Sequence, residues 1–303
     1  MSGSSRRGFL REFAGAARDV RATGAAGRRG YEEIEAAFLG GEIEEEVAPR
    51  PAAGELSDAE LDRYSRQLVL PQWGAAAQLA LRDASVLVVG AGALGSPVAL
   101  YLAGAGVGRL GIVDGDVVEP SNLHRQLLHY TPDEGVLKAH SAAAKLEFLN
   151  PEVEVVPYAV GLEAGNAAGL LSGHDLVVDC SDSFATRYTV NAACCAAGLP
   201  LVEGGAVGLS GLVMSIRPGE TACYRCAFPT APPPGAQPTC AQAGMLGPAA
   251  GVVGSLQALE ALKLITGFAE PTTDAFLQVE LADPGFVRVA VGRRAGCPDC
   301  AGL

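Results

Sequence analysis

Apolar residues fall along this chain in two alternating rhythms, short unbroken runs and longer stretches at helical spacing, and the alternation predicts strands and helices in turn. The run V-L-V-V at residues 86–89 predicts a buried strand. A glycine turn, a helix and a second strand ending in acid at Asp114 follow it. Residues 153–160 (V-E-V-V-P-Y-A-V), 175–180 (D-L-V-V-D-C) and 199–205 (L-P-L-V-E-G-G) predict further strands. Residues 166–171 and 186–197 between them predict helices, and this order implies a parallel core. Residues 209–219 and 276–291 read as antiparallel strands that extend the sheet. The stretch 252–267 between them has helical spacing, with Gly267 as its stop. Ahead of the core, residues 56–70 predict one amphipathic helix with Ser57 as cap and Glu60 in its first turn.

The first turn carries chemistry. In G-A-G-A-L-G, Gly90 allows a tight turn, Gly92 lets backbone N–H groups approach a phosphate, and Gly95 lets the helix lie close to the sheet. Phosphate then sits on the helix N-terminus, with Pro97 in the first turn and Asp114 placed for ribose hydroxyls. Taken alone, this signature points to an NAD-dependent oxidoreductase. The following loop, which carries Asn122, Arg125, Gln126 and Lys138, shifts the reading. A nucleoside triphosphate offers more charge than NAD for Arg125 and Lys138 to neutralise, so the mix points to ATP. A solvated surface pair is the plain alternative for these two cations.

Tyr64-Ser65-Arg66-Gln67, the glycine turn, D-G-D with S-N-L-H-R-Q, D-C-S-D, C-Y-R-C, T-C-A-Q-A-G and C-P-D-C occur here in one order. In that order they resemble the ThiF/MoeB/HesA family, bacterial relatives of ubiquitin-activating enzymes, from Leu56 to Leu303. The resemblance implies a Rossmann-like doubly wound sheet, mostly parallel and extended by antiparallel strands. It also implies ATP-dependent adenylylation of the C-terminal glycine of a small ubiquitin-fold carrier ending in Gly-Gly, with loss of pyrophosphate, in molybdopterin, thiamine or related sulfur transfer. Asp114, Asp116, Asn122, Arg125, Gln126 and Lys138 would contact the nucleotide, and Asp182 would hold Mg2+. One carboxylate suffices for an ion that keeps most of its waters, although Asp182 could equally cap the next helix. Arg66 would reach into the partner subunit's site, which implies a homodimer. The sequence departs from the family at Ala93, Ser183 and Leu212. Activation of a tRNA-base carboxylate, a nicotinamide-dependent oxidoreductase and a non-catalytic carrier-binding scaffold are the competing functions.

Eight cysteines sharpen the picture. Cys223, Cys226, Cys297 and Cys300 form two C-x-x-C pairs, enough for one structural Zn2+ with four thiolates and no open position. Cys240 follows a proline-rich stretch, and a thiol on such a loop could capture an activated acyl group or simply pack as a small residue. Cys180, Cys194 and Cys195 read as core thiols.

The 303 residues divide into an N-terminal extension, 1–54, expected to be partly disordered, and one adenylation domain, 55–303. The extension begins with R-R-G-F-L-R, which resembles an export signal, but charges interrupt the apolar core that export needs, so a cytoplasmic protein is expected. Its second half is acidic and ends in a Pro/Gly/Ala linker. No uninterrupted apolar run is long enough to span a bilayer, and a net charge of −12 argues against nucleic acid as a general partner. No rhodanese-like segment follows Cys300, so any sulfur would come from a separate donor.

Overall fold

The computed structural model describes residues 54–233 and 244–303; the extension before residue 54 and Cys240 lie outside the described residues. Helices α1 (Asp58–Arg63), α2 (Ser65–Leu68) and α3 (Gly74–Asp83) precede the sheet. Strand and helix then alternate through β1 (Ser85–Val89), α4 (Gly95–Ala105), β2 (Arg109–Val113), α5 (Lys138–Leu149), β3 (Glu154–Tyr158), α6 (Ala167–Leu171), β4 (Leu176–Asp179), α7 (Phe184–Ala197) and β5 (Leu201–Val207). The order closes with β6 (Ser210–Ile216), α8 (Tyr224–Ala227), α9 (Gly247–Thr266), β7 (Ala275–Glu280) and β8 (Gly285–Ala290).

All eight strands form one sheet in the order β3-β2-β1-β4-β5-β6-β7-β8. The first five are parallel, and β6 to β8 continue as an antiparallel meander. The expected doubly wound architecture with an antiparallel extension is therefore the fold. Alternating residues of the central strand enter two cores. Val86 and Val88 pack with α3, α4, α5 and α9, whereas Leu87 and Val89 pack with α6 and α7. Burial on both faces explains why the parallel strands read as unbroken apolar runs.

Three elements differ from the sequence expectation. The segment 56–70 is two helices, because Tyr64 turns inward, is 4% exposed and accepts a hydrogen bond from Asn150 Nδ2 at 2.9 Å. The Ser57 cap does form, as a reciprocal box with Glu60. Lys138 opens α5 rather than lying in a loop, and α3 was not foreseen. On α5 the buried residues are mainly small, including Ala139, Ala142 and Ala143, and give a weak apolar rhythm, whereas the short α3 buries only Ala77, Gln78 and Leu81. Finally, α9 is long and apolar enough, by length and composition, to cross a membrane. It is not an uninterrupted apolar run, since Gln257, Glu260 and Lys263 interrupt it. In this fold α9 packs on β5 and β6 and buries Gln257 and Glu260.

Candidate functional site

Strand order reverses between β1 and β4, and the ends of such strands bound a crevice where ligands bind in doubly wound sheets. A cleft of about 250 Å3 lies there, lined by Gly90, Gly92, Asp114, Asp116, Arg125, Gln126, Lys138 and Asp182, and also by Arg187. Gly90 has φ 97°, and its N–H donates to Val113 at 2.7 Å, so the turn is pinned to the end of β2. Gly95, the first residue of α4, does not line the cleft. A Cβ there would lie 2.8 Å from the Gly90 carbonyl carbon, so its role is close packing, as the sequence suggested. No side chain caps α4, and its N-terminal N–H groups and dipole face the cleft.

The acid at the end of β2 organises the opposite wall. The Asp114 carboxylate accepts from the Ala91 N–H at 2.8 Å and from the Asp116 N–H at 2.9 Å. Asp116 in turn accepts from Lys138 Nζ at 2.8 Å, and the lysine side chain is only 8% exposed. Arg125 is anchored through Nη1 to the Ser121 carbonyl at 2.8 Å. Gln126 is buried, and its Oε1 has no partner among the described residues. Asn122 is buried behind the wall, where its Oδ1 accepts from the Glu119 N–H at 3.3 Å; it does not line the cleft. His129 ties the glycine turn to α5, with Nε2 at 2.8 Å from the Ala91 carbonyl and Nδ1 at 2.8 Å from Ser141 Oγ. Burial holds its pKa below the ordinary imidazole value, and the neutral ring donates from Nε2 to the carbonyl.

Asp182 stands exposed at the rim, three residues beyond the end of β4. It does not cap α7; Ser183 does, accepting from the Thr186 N–H at 3.0 Å, which leaves the Asp182 carboxylate on the cleft. One carboxylate facing a phosphate-sized cleft fits a Mg2+ that keeps most of its waters.

Sequence reasoning passed over Arg187, one turn further along α7. Its Nη1 lies 3.1 Å from Glu203 Oε1, and its Nη2 donates to the Ser181 carbonyl at 2.9 Å. Glu203 is fully buried on β5 beside Asp179, its register partner on β4. Burial, and then the charge of Asp179, push the Glu203 carboxyl well above its usual range, against the pull of Arg187; burial raises Asp179 as well. A glutamate inside the apolar run L-P-L-V-E-G-G was the available signal, since a buried acid needs a partner.

The two C-x-x-C pairs converge. Their four Sγ atoms lie within 4.8 Å of one another, with Cys223–Cys297 and Cys226–Cys300 at 3.5 Å and Cys223–Cys226 at 3.8 Å. Tetrahedral Zn–S bonds of about 2.3 Å put sulfurs about 3.8 Å apart, so the cluster fits zinc. Cys195 donates to Cys223, which lowers the Cys223 pKa to about 4 and favours a thiolate there. Asn191 on α7 holds the knuckle to the helix, donating to Asp299 Oδ2 at 2.7 Å and accepting from the Tyr224 N–H at 2.9 Å. Arg66 is exposed on α2 and does not line this cleft.

The model of the ThiF family matches residues 64–299. The chain belongs to the ThiF family. Among curated relatives of this ThiF-family chain, the sulfur carrier protein adenylyltransferase of Thermus thermophilus is 49% identical over 80% of this chain and 91% of its own length. The pig protein named adenylyltransferase and sulfurtransferase MOCS3 is also 49% identical, over 84% of this chain. The chain spans only 56% of the length of that MOCS3 relative. The fold is similar to that of E. coli MccB in complex with MccA-N7isoASN, with a TM-score of 0.72 at 24% identity over 83% of this chain and 77% of that one. It is similar also to E. coli MccB with ATP, at a TM-score of 0.71 and 25% identity over 78% of this chain and 74% of that chain.

Proposed function

We propose that this chain is an ATP-dependent adenylyltransferase that activates the C-terminal glycine carboxylate of a small ubiquitin-like sulfur-carrier protein. The observation that carries the reading is the meeting, in one cleft, of a phosphate turn, two cations and a carboxylate beyond β4. The names of its ThiF-family relatives support the reaction class and the carrier.

In this reading the α4 N-terminus and the Gly92 backbone bind phosphate, and Asp114 orients the ribose while bracing the turn through Ala91. A carboxylate oxygen of the carrier attacks the α-phosphorus. The bond from that phosphorus to the bridging oxygen breaks, and pyrophosphate leaves with the electron pair. Lys138 and Arg125 hold the departing phosphates and offset the charge that develops on them. Mg2+ held by Asp182 would supply further charge neutralisation at the phosphates. The contact of the buried Lys138 with the exposed Asp116 keeps the ammonium aimed before substrate arrives, which lowers the cost of ordering it. Zinc held by Cys223, Cys226, Cys297 and Cys300 would join the start of α8 to residues 297–300. Arg66 acting in a partner subunit's cleft, a homodimer, covalent capture by Cys240 and a separate sulfur donor complete the proposal.

ATP–pyrophosphate exchange tests it, with each Gly-Gly-ending ubiquitin-fold protein from the same genome against the same carrier lacking its last glycine. Exchange that requires one intact carrier is the expected result and assigns the pathway. Exchange with none of them would refute a carrier substrate and leave another carboxylate or a non-catalytic scaffold.

A further inference from the structure

Behind the wall of the cleft lies a charge count that does not balance. Asp179 and Glu203 face each other across β4 and β5, both fully buried, and a single guanidinium, Arg187, is paired to them. Asp179 Oδ1 accepts from the Ser181 N–H at 2.8 Å, and Glu203 Oε1 is engaged by Arg187. Among the described residues, the remaining oxygens, Asp179 Oδ2 and Glu203 Oε2, have no hydrogen-bond donor. Two ionised carboxylates would leave one buried negative charge uncompensated and two acceptors unsatisfied. One proton between those oxygens removes both defects. The other titratable groups facing the pair are Cys180 just after β4, Tyr188 and Cys194 on α7 and Tyr224 on α8; burial raises all four, so none is a base that would take this proton.

The guanidinium is held in one place. A Cβ on Gly205 would lie 3.0 Å from Arg187 Cζ, so the strand leaves room for the arginine there and for nothing larger on the glycine. From that position Nη2 grips the Ser181 carbonyl while Asp179 grips the Ser181 N–H, so the two peptide units on either side of Ser181, the second of which leads into Asp182, are both fixed. We propose that Arg187 is the positioning residue for the Ser181–Asp182 turn, and that Asp179 and Glu203 share one proton so that the buried group carries no net charge. The part concerning Asp182 rests on the adenylation reading above; the shared proton does not.

The full-length protein without nucleotide tests the proton by infrared spectroscopy. A protonated-carboxyl band is expected in the unaltered protein and absent from both Glu203→Gln and Asp179→Asn; no such band overturns the shared proton whatever reaction the protein performs. In Glu203→Gln the amide can donate to Asp179 Oδ2 in place of the proton and still accept from Arg187, so each single variant keeps its urea midpoint. The double variant leaves Arg187 uncompensated and unfolds at lower urea; a double variant equal to the sum of the singles refutes the charge count.

Positioning is read by MgATP affinity. Arg187→Lys cannot span Glu203 and the Ser181 carbonyl together, and loss of a hydrogen bond from a charged donor is expected to weaken binding about tenfold. In an Asp182→Ala background the same change has no further effect. Additive losses would mean that Arg187 acts on the nucleotide directly and would overturn the positioning role. A parent protein that binds no MgATP defeats the adenylation reading instead, and the infrared and urea results still decide the proton.

Discussion

Gly92 and Gly95 sit in the same turn but answer to different constraints, and replacing each with alanine separates them. At Gly95 the added Cβ would lie 2.8 Å from the Gly90 carbonyl carbon and closer still to its oxygen. Carbon atoms pack comfortably at about 3.5–4.0 Å, so turn and helix must part by roughly 1 Å. Overpacking of this kind costs about 1–3 kcal/mol. A shift of about 1 Å in a binding group can also reduce a reaction about a hundredfold. At Gly92 the added Cβ meets only Gln126, at 3.6 Å, an ordinary contact, but it projects from the cleft wall. Gly95→Ala is therefore expected to lose both stability and nucleotide binding, whereas Gly92→Ala keeps its urea midpoint and loses binding alone. Urea denaturation and calorimetric titration with MgATP measure the two quantities on the same samples. A Gly95→Ala protein with unchanged midpoint and affinity, or a Gly92→Ala protein that is destabilised as much as Gly95→Ala, would refute the division of roles.

Lys138→Met breaks the pair with the 77% exposed Asp116, so its stability cost is expected to stay below about 1 kcal/mol; the KM for ATP in pyrophosphate exchange should rise many-fold, and an unchanged KM would remove Lys138 from the site. Chelating the zinc expected at the four cysteines should lower the unfolding free energy read from urea denaturation by about 4 kcal/mol if zinc had been present at about a thousand times its Kd; metal analysis finding no zinc in folded protein would end that reading. Burial holds both His129 and His174 below the ordinary imidazole pKa of about 6.5, so the unfolded chain takes up protons that the folded chain refuses. Their contribution is complete above that value and is lost as pH falls through it, whereas the proton held by Asp179 and Glu203 acts in the opposite sense, so the histidine contribution is read between about pH 7 and 5 as a difference in slope between variants. Urea midpoints across that range should fall less steeply in His174→Phe, and an equal slope would show that His174 is not part of the cause.

What could be read from the sequence was local or spaced by a fixed rule. The turn at Gly90 to Gly95, the acid ending β2 and the two C-x-x-C pairs each declare their chemistry within a few residues, and the fold brings the two pairs together as the spacing required. What escaped depends on contacts across the sheet. Glu203 acquires meaning only beside Asp179 and Arg187, on three different elements, and a single strand cannot announce its neighbour. His129 carries no motif of its own, and only the fold sets it between the glycine turn and α5. Helix α5 escaped for a compositional reason, since burial through small side chains leaves little contrast between its two faces, and α3 because only Ala77, Gln78 and Leu81 of its ten residues are buried. Lys138 was chosen as a phosphate ligand for its charge, yet its burial and its place at the first turn of α5 emerged only from packing.

The position of β1 bears on how the protein is made. It is the earliest strand of the sheet along the chain but an interior one in space, flanked by β2 on one side and β4 on the other. While the chain is being synthesised, β1 can zip to β2 early, but its other edge stays open until β4 emerges and closes a long loop, the kind of non-local pairing that slows folding. The crevice between those edges is thus one of the last features to form. A nucleotide that fits it binds only the finished sheet, so its affinity adds directly to the free energy of the folded state. Cellular nucleotide concentration would then govern how long newly made chains survive, quite apart from any turnover.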